Sequence, residues 1–285
     1  MTAKNAHKSK SLRRTKIVAT VGPGSSNQDM IGRLLSAGVD VFRLNFSHGA
    51  QADHIQVAQH IRRQARHHGR YVGILADLQG PKIRIAGFTE GAVDLQAGDP
   101  FQLSLTIAPD AGDHRGVCVE YEALPSSVEQ DDVLLLDDGK LRLRVDDVSQ
   151  TEVNCTVVVG GRLSARKGVN KLGGGLAAPA LTEKDKEDAV FALEQKVDWI
   201  ALSFVRTSED LVELQELIAK HSEHKIPIIA KIEKPEGVAN IDSIIAHCDG
   251  LMVARGDLGV EVPAHEVPLI QKKLVNKAKT ARIPV

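Results

Sequence analysis

Charged and polar residues collect where apolar runs of this 285-residue chain stop. "FRLNFSHG" (42–49) spaces Arg43, Asn45 and Ser47 two apart, so they share one side of an extended segment. Taken alone this is equally an ion-paired strand end. "IIAKIEKPEG" (228–237) sets Lys231 and Glu233 two apart after Ile228, Ile229 and Ala230. A lysine in a buried strand is costly unless it is paired or used, so the alternatives are an internal salt bridge and an ammonium beside a metal-binding carboxylate. In "ARGDLGVE" (254–261), Gly256 lets backbone approach a ligand closely. Asp257 opens a turn whose N–H groups suit an anion; a lone "RGD" is otherwise a surface turn. "ILADLQGPKIR" (74–84) ends an apolar run in Asp77, followed by Gly80-Pro81, Lys82 and Arg84. Together, Glu233 and Asp257 are a magnesium site by ligand type. Arg43 and Lys231 beside such an ion supply what phosphoryl transfer requires, which is positioning and charge neutralisation. The chain has no Walker motif and no kinase glycine-rich loop.

These residues need strands to hold them. Short β-branched runs alternate with helical patterns: Lys16–Val21, Val39–Phe46 and Val72–Asp77, then Asp198–Phe204, Ile226–Glu233 and Gly250–Ala254. Between them, Ser25 and Gln28 fit a capping box for a helix carrying Met30, Ile31, Leu34 and Leu35, stopped by Gly38. The next helix carries Ile55, Ala58, Ile61 and Ala65. Thr182 N-caps a helix whose face is Ala189, Val190 and Leu193. Leu211, Leu214, Leu217 and Ile218 mark a further helix, Val238, Ile241 and Ile245 another, and a last one runs from about His265 to Ala281. The terminal "IPV" reads as the start of one more strand. Alternation at this spacing means a parallel sheet, and runs without a period-2 pattern mean burial on both faces. An open doubly wound sheet would carry a glycine-rich nucleotide turn after its first strand, which "VGPGSSN" matches weakly. The expected fold is α/β, an incomplete (β/α)₈ TIM barrel.

Residues 83–178 break the rhythm with alternating strands, Gly and Asp turns and the Asp138-Gly139 hairpin signal. They read as an all-β domain inserted after strand three, placed as a lid over the C-terminal mouth where active sites form. The expected organisation is a solvated, disordered tail over 1–12, barrel over 13–82, the inserted β-barrel lid over 83–178 and barrel again over 179–285.

A net charge of −1 gives no pull toward nucleic acid or anionic membrane. The longest apolar runs fall short of a membrane span. Cys118, Cys155 and Cys248 are far apart, support neither a disulfide framework nor a zinc site, and fit a reducing, cytoplasmic setting. The basic N-terminal segment (Lys4, Lys8, Lys10, Arg13, Arg14) lacks the apolar core of a secretory signal.

"KIVATVGPGS", "VFRLNFSHG", "DLQGPKIR", "KGVNKLGGG", "LTEKD", "KIEKPEG" and "MVARGDLGVE" together, in order and spacing, resemble pyruvate kinase from about residue 13 onward. The resemblance implies transfer of phosphate from phosphoenolpyruvate to ADP in glycolysis, with Mg²⁺ and K⁺ as cofactors and a homotetrameric parent. It matches Arg43 to a phosphate-binding arginine and Lys231 to the lysine that stabilises the transferring phosphoryl and the enolate oxygen. Glu233 and Asp257 match the Mg²⁺ ligands. Asn45, Ser47 and Asp77 match a monovalent-cation site. Asn45, His48, Arg84 and Lys167 match nucleotide contacts, and Ala254, Gly256 and Asp257 the substrate-binding segment. His48 and Lys167 emerge only from the resemblance.

Two departures follow. The family continues past the position of Val285 into a threonine-bearing motif, the last strands and a C-terminal regulatory domain, so these 285 residues alone are expected to be inactive or poorly soluble. Many members carry a glutamate where this chain has Lys82, and a threonine where it has Leu78. A lysine repels K⁺ and supplies its own ammonium instead, so the expectation is activity without K⁺. The competing readings are a Mg²⁺-dependent phosphoenolpyruvate or pyruvate lyase on a similar barrel, and a non-catalytic truncated product. The lid and Lys167 argue against the lyase, which has no nucleotide to cover.

Overall fold

The computed structural model describes residues 13–176 and 178–285. The tail expected over 1–12 lies outside the described residues. The chain divides into two compact units, one ending at Ala76 and one beginning at Asp77. Among the described residues no helix is long and apolar enough to cross a membrane.

The first unit alternates β1 (Val18–Val21), α1 (Gln28–Ala37), β2 (Val41–Asn45), α2 (Gln51–His67) and β3 (Gly73–Asp77). β1 and β2 pair in parallel, Val18 opposite Val41, and β3 flanks the other side of β2. α1 starts differently from the expected Ser25/Gln28 box. Ser25 Oγ closes a turn with Gly22, and the cap is Asn27, whose side chain accepts the Met30 N–H at 2.8 Å. The reason is reach: the short Asn side chain sits one residue before the first helical position, where N-cap geometry needs it. Gly38, at φ 106°, ends α1 as expected. Arg13 is not part of a solvated tail; its guanidinium holds Gly38 O at 2.6 Å and Asp40 at 3.1 Å. Ile31, Leu35, Phe42, Leu44 and Ile61 form the core of this unit.

The second unit opens with β4 (Ala92–Leu95), β5 (Pro100–Ser104), β6 (Gly116–Cys118), β7 (Val133–Leu136), β8 (Leu141–Val148), β9 (Glu152–Val159), β10 (Gly161–Ser164) and β11 (Val169–Lys171). β11, β7, β8, β9, β5 and β6 form one sheet in that order, and β10 pairs with β4. β8 shows why this segment is sheet: Leu141, Leu143 and Val145 are buried while Arg142 and Arg144 are exposed. The β7–β8 turn is the expected hairpin, with Asp137, Asp138 and Gly139 all at positive φ. These strands bury a hydrophobic core drawn entirely from residues 83–176. Leu143 is fully buried at its centre, and its truncation to alanine would cost about 2–5 kcal/mol.

The β–α alternation then resumes: α3 (Glu183–Glu194), β12 (Trp199–Leu202), α4 (Ser208–His221), β13 (Ile228–Ile232), α5 (Pro235–Ala239), α6 (Ile241–His247), β14 (Gly250–Val253), α7 (Arg255–Glu261) and α8 (Val267–Ala281). β12, β13 and β14 are parallel neighbours. Thr182 caps α3 as expected, but the buried stripe is Asp185, Asp188, Ala189 and Ala192, with Val190 and Leu193 only half-buried. Two aspartates on the inner face hide this stripe from a hydrophobicity pattern. The single helix expected around Val238 is two, interrupted at Asn240. After α8 the backbone returns beside β14, where the Leu251 N–H donates to Pro284 O at 2.9 Å.

Candidate active site

In the first unit, β2 delivers the expected alternation. Phe42, Leu44 and Phe46 are buried, and Arg43, Asn45 and Ser47 share the opposite, half-buried face. Arg43 Nη1 donates to Thr20 Oγ1 on β1 at 2.8 Å. Asn45 Oδ1 accepts the Ser47 N–H at 3.1 Å, closing the turn after the strand. The His48 carbonyl lies 3.1 Å from His54 Nε2.

The second unit gathers a buried charge cluster from Asp77, its first residue, and from the ends of β12 and β13. Lys231 Nζ meets three acceptors: Ser203 Oγ at 2.7 Å, Glu233 Oε1 at 3.0 Å and Asp77 Oδ1 at 3.2 Å. An ammonium has three N–H donors, so this cradle matches it. Asp77 is 1% exposed, Glu233 2% and Lys231 8%, so water does little of the solvating. Burial works against the lysine charge, but Glu233 and Asp77 more than offset it and hold its pKa above the ordinary value. Burial also pushes the Glu233 carboxyl up; Lys231 opposes this and the nearby charge of Asp257 adds to it. Glu233 Oε2 accepts the Phe204 N–H at 2.7 Å. Asp257 lies in the first turn of α7, half-buried, with Ala254 as the residue before that helix and Gly256 exposed.

The cradle rests on a turn that sequence reading did not single out. Ser203 Oγ donates to Leu78 O at 2.7 Å. Phe204 sits at φ +56°, a conformation most side chains avoid. Gly80, at φ +70°, packs directly against this turn: a Cβ there would fall 2.7 Å from Phe204 Cδ2 and 2.8 Å from Ser203 Cβ. The Gly80 N–H is held at 3.0 Å by Asp185, which is fully buried. Asp185 also accepts from Thr182, so one carboxylate completes the cap of α3 and anchors the connection that follows β3.

The remaining predicted residues lie toward the β-rich segment. Arg84 Nη1 donates to Arg166 O at 2.8 Å. Lys167 pairs with Asp137 at 2.9 Å, and Lys82 with Asp138 at 3.1 Å. Hydrogen bonds from Lys167 and Lys140 hold the Asp137 carboxyl below its usual range. The Lys82 ammonium therefore meets the tip of the β7–β8 hairpin, while the ammonium against Asp77 belongs to Lys231. A second buried pair, Lys234 with Glu261, was not anticipated; Asn170 Nδ2 joins it with a 2.7 Å bond to Glu261. Lys82, Asn170, Phe204, Arg206, Lys234 and Asp257 line a small cavity of about 20 Å³.

The family model for the pyruvate kinase barrel domain matches residues 12–285. Pyruvate kinase 2 of Synechocystis is 48% identical over 277 residues, covering 96% of this chain and 46% of that protein. Pyruvate kinase of Mycobacterium intracellulare is 46% identical over 273 residues, covering 96% and 57%. A crystal structure of a pyruvate kinase from Cryptosporidium parvum superposes with a TM-score of 0.91 at 35% identity, covering 96% of this chain and 57% of that one. The chain thus spans about half the length of the relatives it matches.

Proposed function

Because the chain belongs to the pyruvate kinase family and spans about half the length of its relatives, we propose that the whole protein transfers the phosphoryl group of phosphoenolpyruvate to ADP, giving pyruvate and ATP, and that these 285 residues alone are inactive. The observation that carries this reading is the Lys231 ammonium, buried and cradled by Asp77, Glu233 and Ser203. A charge fixed in advance in a low-dielectric site needs no reorganisation when negative charge moves, and so lowers the barrier to phosphoryl transfer. Lys231 serves the transferring phosphoryl and the enolate oxygen left behind. Arg43, on the polar face of β2, serves the phosphate.

Glu233 and Asp257 offer hard oxygen donors of the kind Mg²⁺ takes, with substrate and water completing its shell. Asp257 raises the Glu233 pKa through its charge, and two mutually repelling carboxylates are relieved by a divalent cation. When bound, Mg²⁺ supplies neutralisation of phosphate charge. Ala254, Gly256 and Asp257 offer the backbone and carboxylate of the substrate segment. Asn45, His48, Arg84 and Lys167 are proposed nucleotide contacts, and Asn45, Ser47 and Asp77 the monovalent-cation set. Lys82, held on Asp138, adds positive charge beside the strand exit and disfavours K⁺.

The architecture proposed is an incomplete (β/α)₈ barrel over 13–82 and 179–285 with the β domain of 83–178 inserted as a lid. The self-contained core of residues 83–176 supports that division. A cytoplasmic homotetramer is the proposed assembly. The test is pyruvate formation from phosphoenolpyruvate by the whole protein to which this chain belongs. The reading expects it to require both ADP and Mg²⁺; pyruvate appearing without ADP would point to the lyase instead.

A further inference from the structure

The β12–α4 turn holds both Lys231 of β13 and Glu233, the residue just past its end. Ser203 Oγ has one proton, and Leu78 O takes it at 2.7 Å. Its lone pairs are thereby turned toward Lys231 Nζ, also at 2.7 Å, the shortest of the three contacts on that ammonium. The next residue donates its N–H to Glu233. Ser203 is 1% exposed, so no water competes for its hydroxyl. Asp77 and Glu233 supply charge, but Glu233 is also a proposed metal ligand and Asp77 a proposed cation ligand, so both have other partners to answer to. Ser203 is the one acceptor on Lys231 with neither role.

We infer that Ser203 is a positioning residue, whose hydroxyl, oriented by Leu78 O, fixes the direction in which Lys231 presents its ammonium to substrate. This rests on the phosphotransferase reading above for its functional consequence, and on geometry alone for its structural one. A lysine with one acceptor removed keeps its charge through Asp77 and Glu233 but gains rotameric freedom. Misplacement of a catalytic group by about 1 Å costs on the order of a hundredfold in rate.

The experiment labels lysine with ¹³C at Cε and follows the Lys231 signal, identified by its loss in K231R. In a fixed rotamer the two Hε protons have separate shifts; averaging merges them. S203A removes the hydroxyl, and S203C removes the strong hydrogen bond while keeping the volume beside Gly80. Both variants are expected to merge the Lys231 Hε pair with the rest of the lysine spectrum unchanged, and to lower kcat for pyruvate formation about a hundredfold with little change in KM. Separate Hε shifts persisting in S203C would overturn the inference. Merged signals in a protein that forms no pyruvate before substitution would sink the functional reading and leave the positioning role standing.

Discussion

Lys82 Nζ lies 3.1 Å from Asp138 Oδ1, joining the connection that follows β3 to the tip of the β7–β8 hairpin. The pair is partly exposed, so its own contribution to stability is small, about 0–1 kcal/mol. Its consequence is electrostatic. Lys82→Glu would set two carboxylates against each other there and remove the positive charge proposed to disfavour K⁺. The expected outcome is that the unsubstituted protein gains little from K⁺, while the variant needs it. Initial rates in K⁺-free buffer with and without added KCl check this; a large K⁺ activation of the unsubstituted protein would contradict it.

Gly80 is where the backbone leaves no room. Gly80→Ala combines a positive φ with close contacts on Ser203 and Phe204, and is expected to destabilise by about 2–4 kcal/mol. Asp185→Ala, which orphans the buried Gly80 N–H and uncaps α3, is expected to cost about 2–4 kcal/mol. Urea midpoints of the two variants measure both.

Many of the candidate residues are legible in the sequence, but not the contacts that hold them in place. Arg43, Asn45 and Ser47 announce their common face by spacing, and Lys231 and Glu233 announce themselves as charges in an apolar strand. The Thr182 cap and the Asp138-Gly139 turn are local chemistry. Ser203 is different: its acceptor is 125 positions earlier in the chain. Asp185 reaches Gly80 across 105 positions, and Glu261 meets Asn170 across 91. Nothing within a window of ten residues distinguishes such a serine or aspartate from a surface one. The Lys231 contact with Asp77 and the separate engagement of Lys82 by Asp138 are likewise distant in sequence and just as silent in it.

Glu261 gives a pH signature. Burial pushes its carboxyl above the ordinary glutamate value; Lys234 and Asn170 offset this only in part. Its Oε2 is buried without a hydrogen-bond partner among the described residues. The folded state therefore binds this proton more tightly than the unfolded state. That contribution is present in full below the ordinary glutamate pKa and is lost as pH rises through the raised one. Glu261→Gln removes the titration, so its stability relative to the unsubstituted protein should improve from pH 5 to pH 8. Denaturant midpoints at the two pH values read the change; a relative loss on going to pH 8 would contradict it.

The thiols should be inert in the folded protein. Burial pushes Cys155 up to about 12 and Cys248 to about 11, and raises Cys118 as well. The thiolate is the reactive form. Native protein at pH 8 is expected to take up no alkylating reagent at these positions over minutes, while denatured protein labels all three, by mass spectrometry.

The central claim is that the buried Lys231 ammonium carries the reaction. Lys231→Met keeps most of the apolar stem of the side chain and removes the ammonium with its contacts to Ser203, Glu233 and Asp77. Pyruvate formation from phosphoenolpyruvate, ADP and Mg²⁺ should fall by about a thousandfold or more, as for loss of a preorganised charge on the transition state, with phosphoenolpyruvate still bound. A Lys231→Met protein within tenfold of the unsubstituted rate would contradict the account.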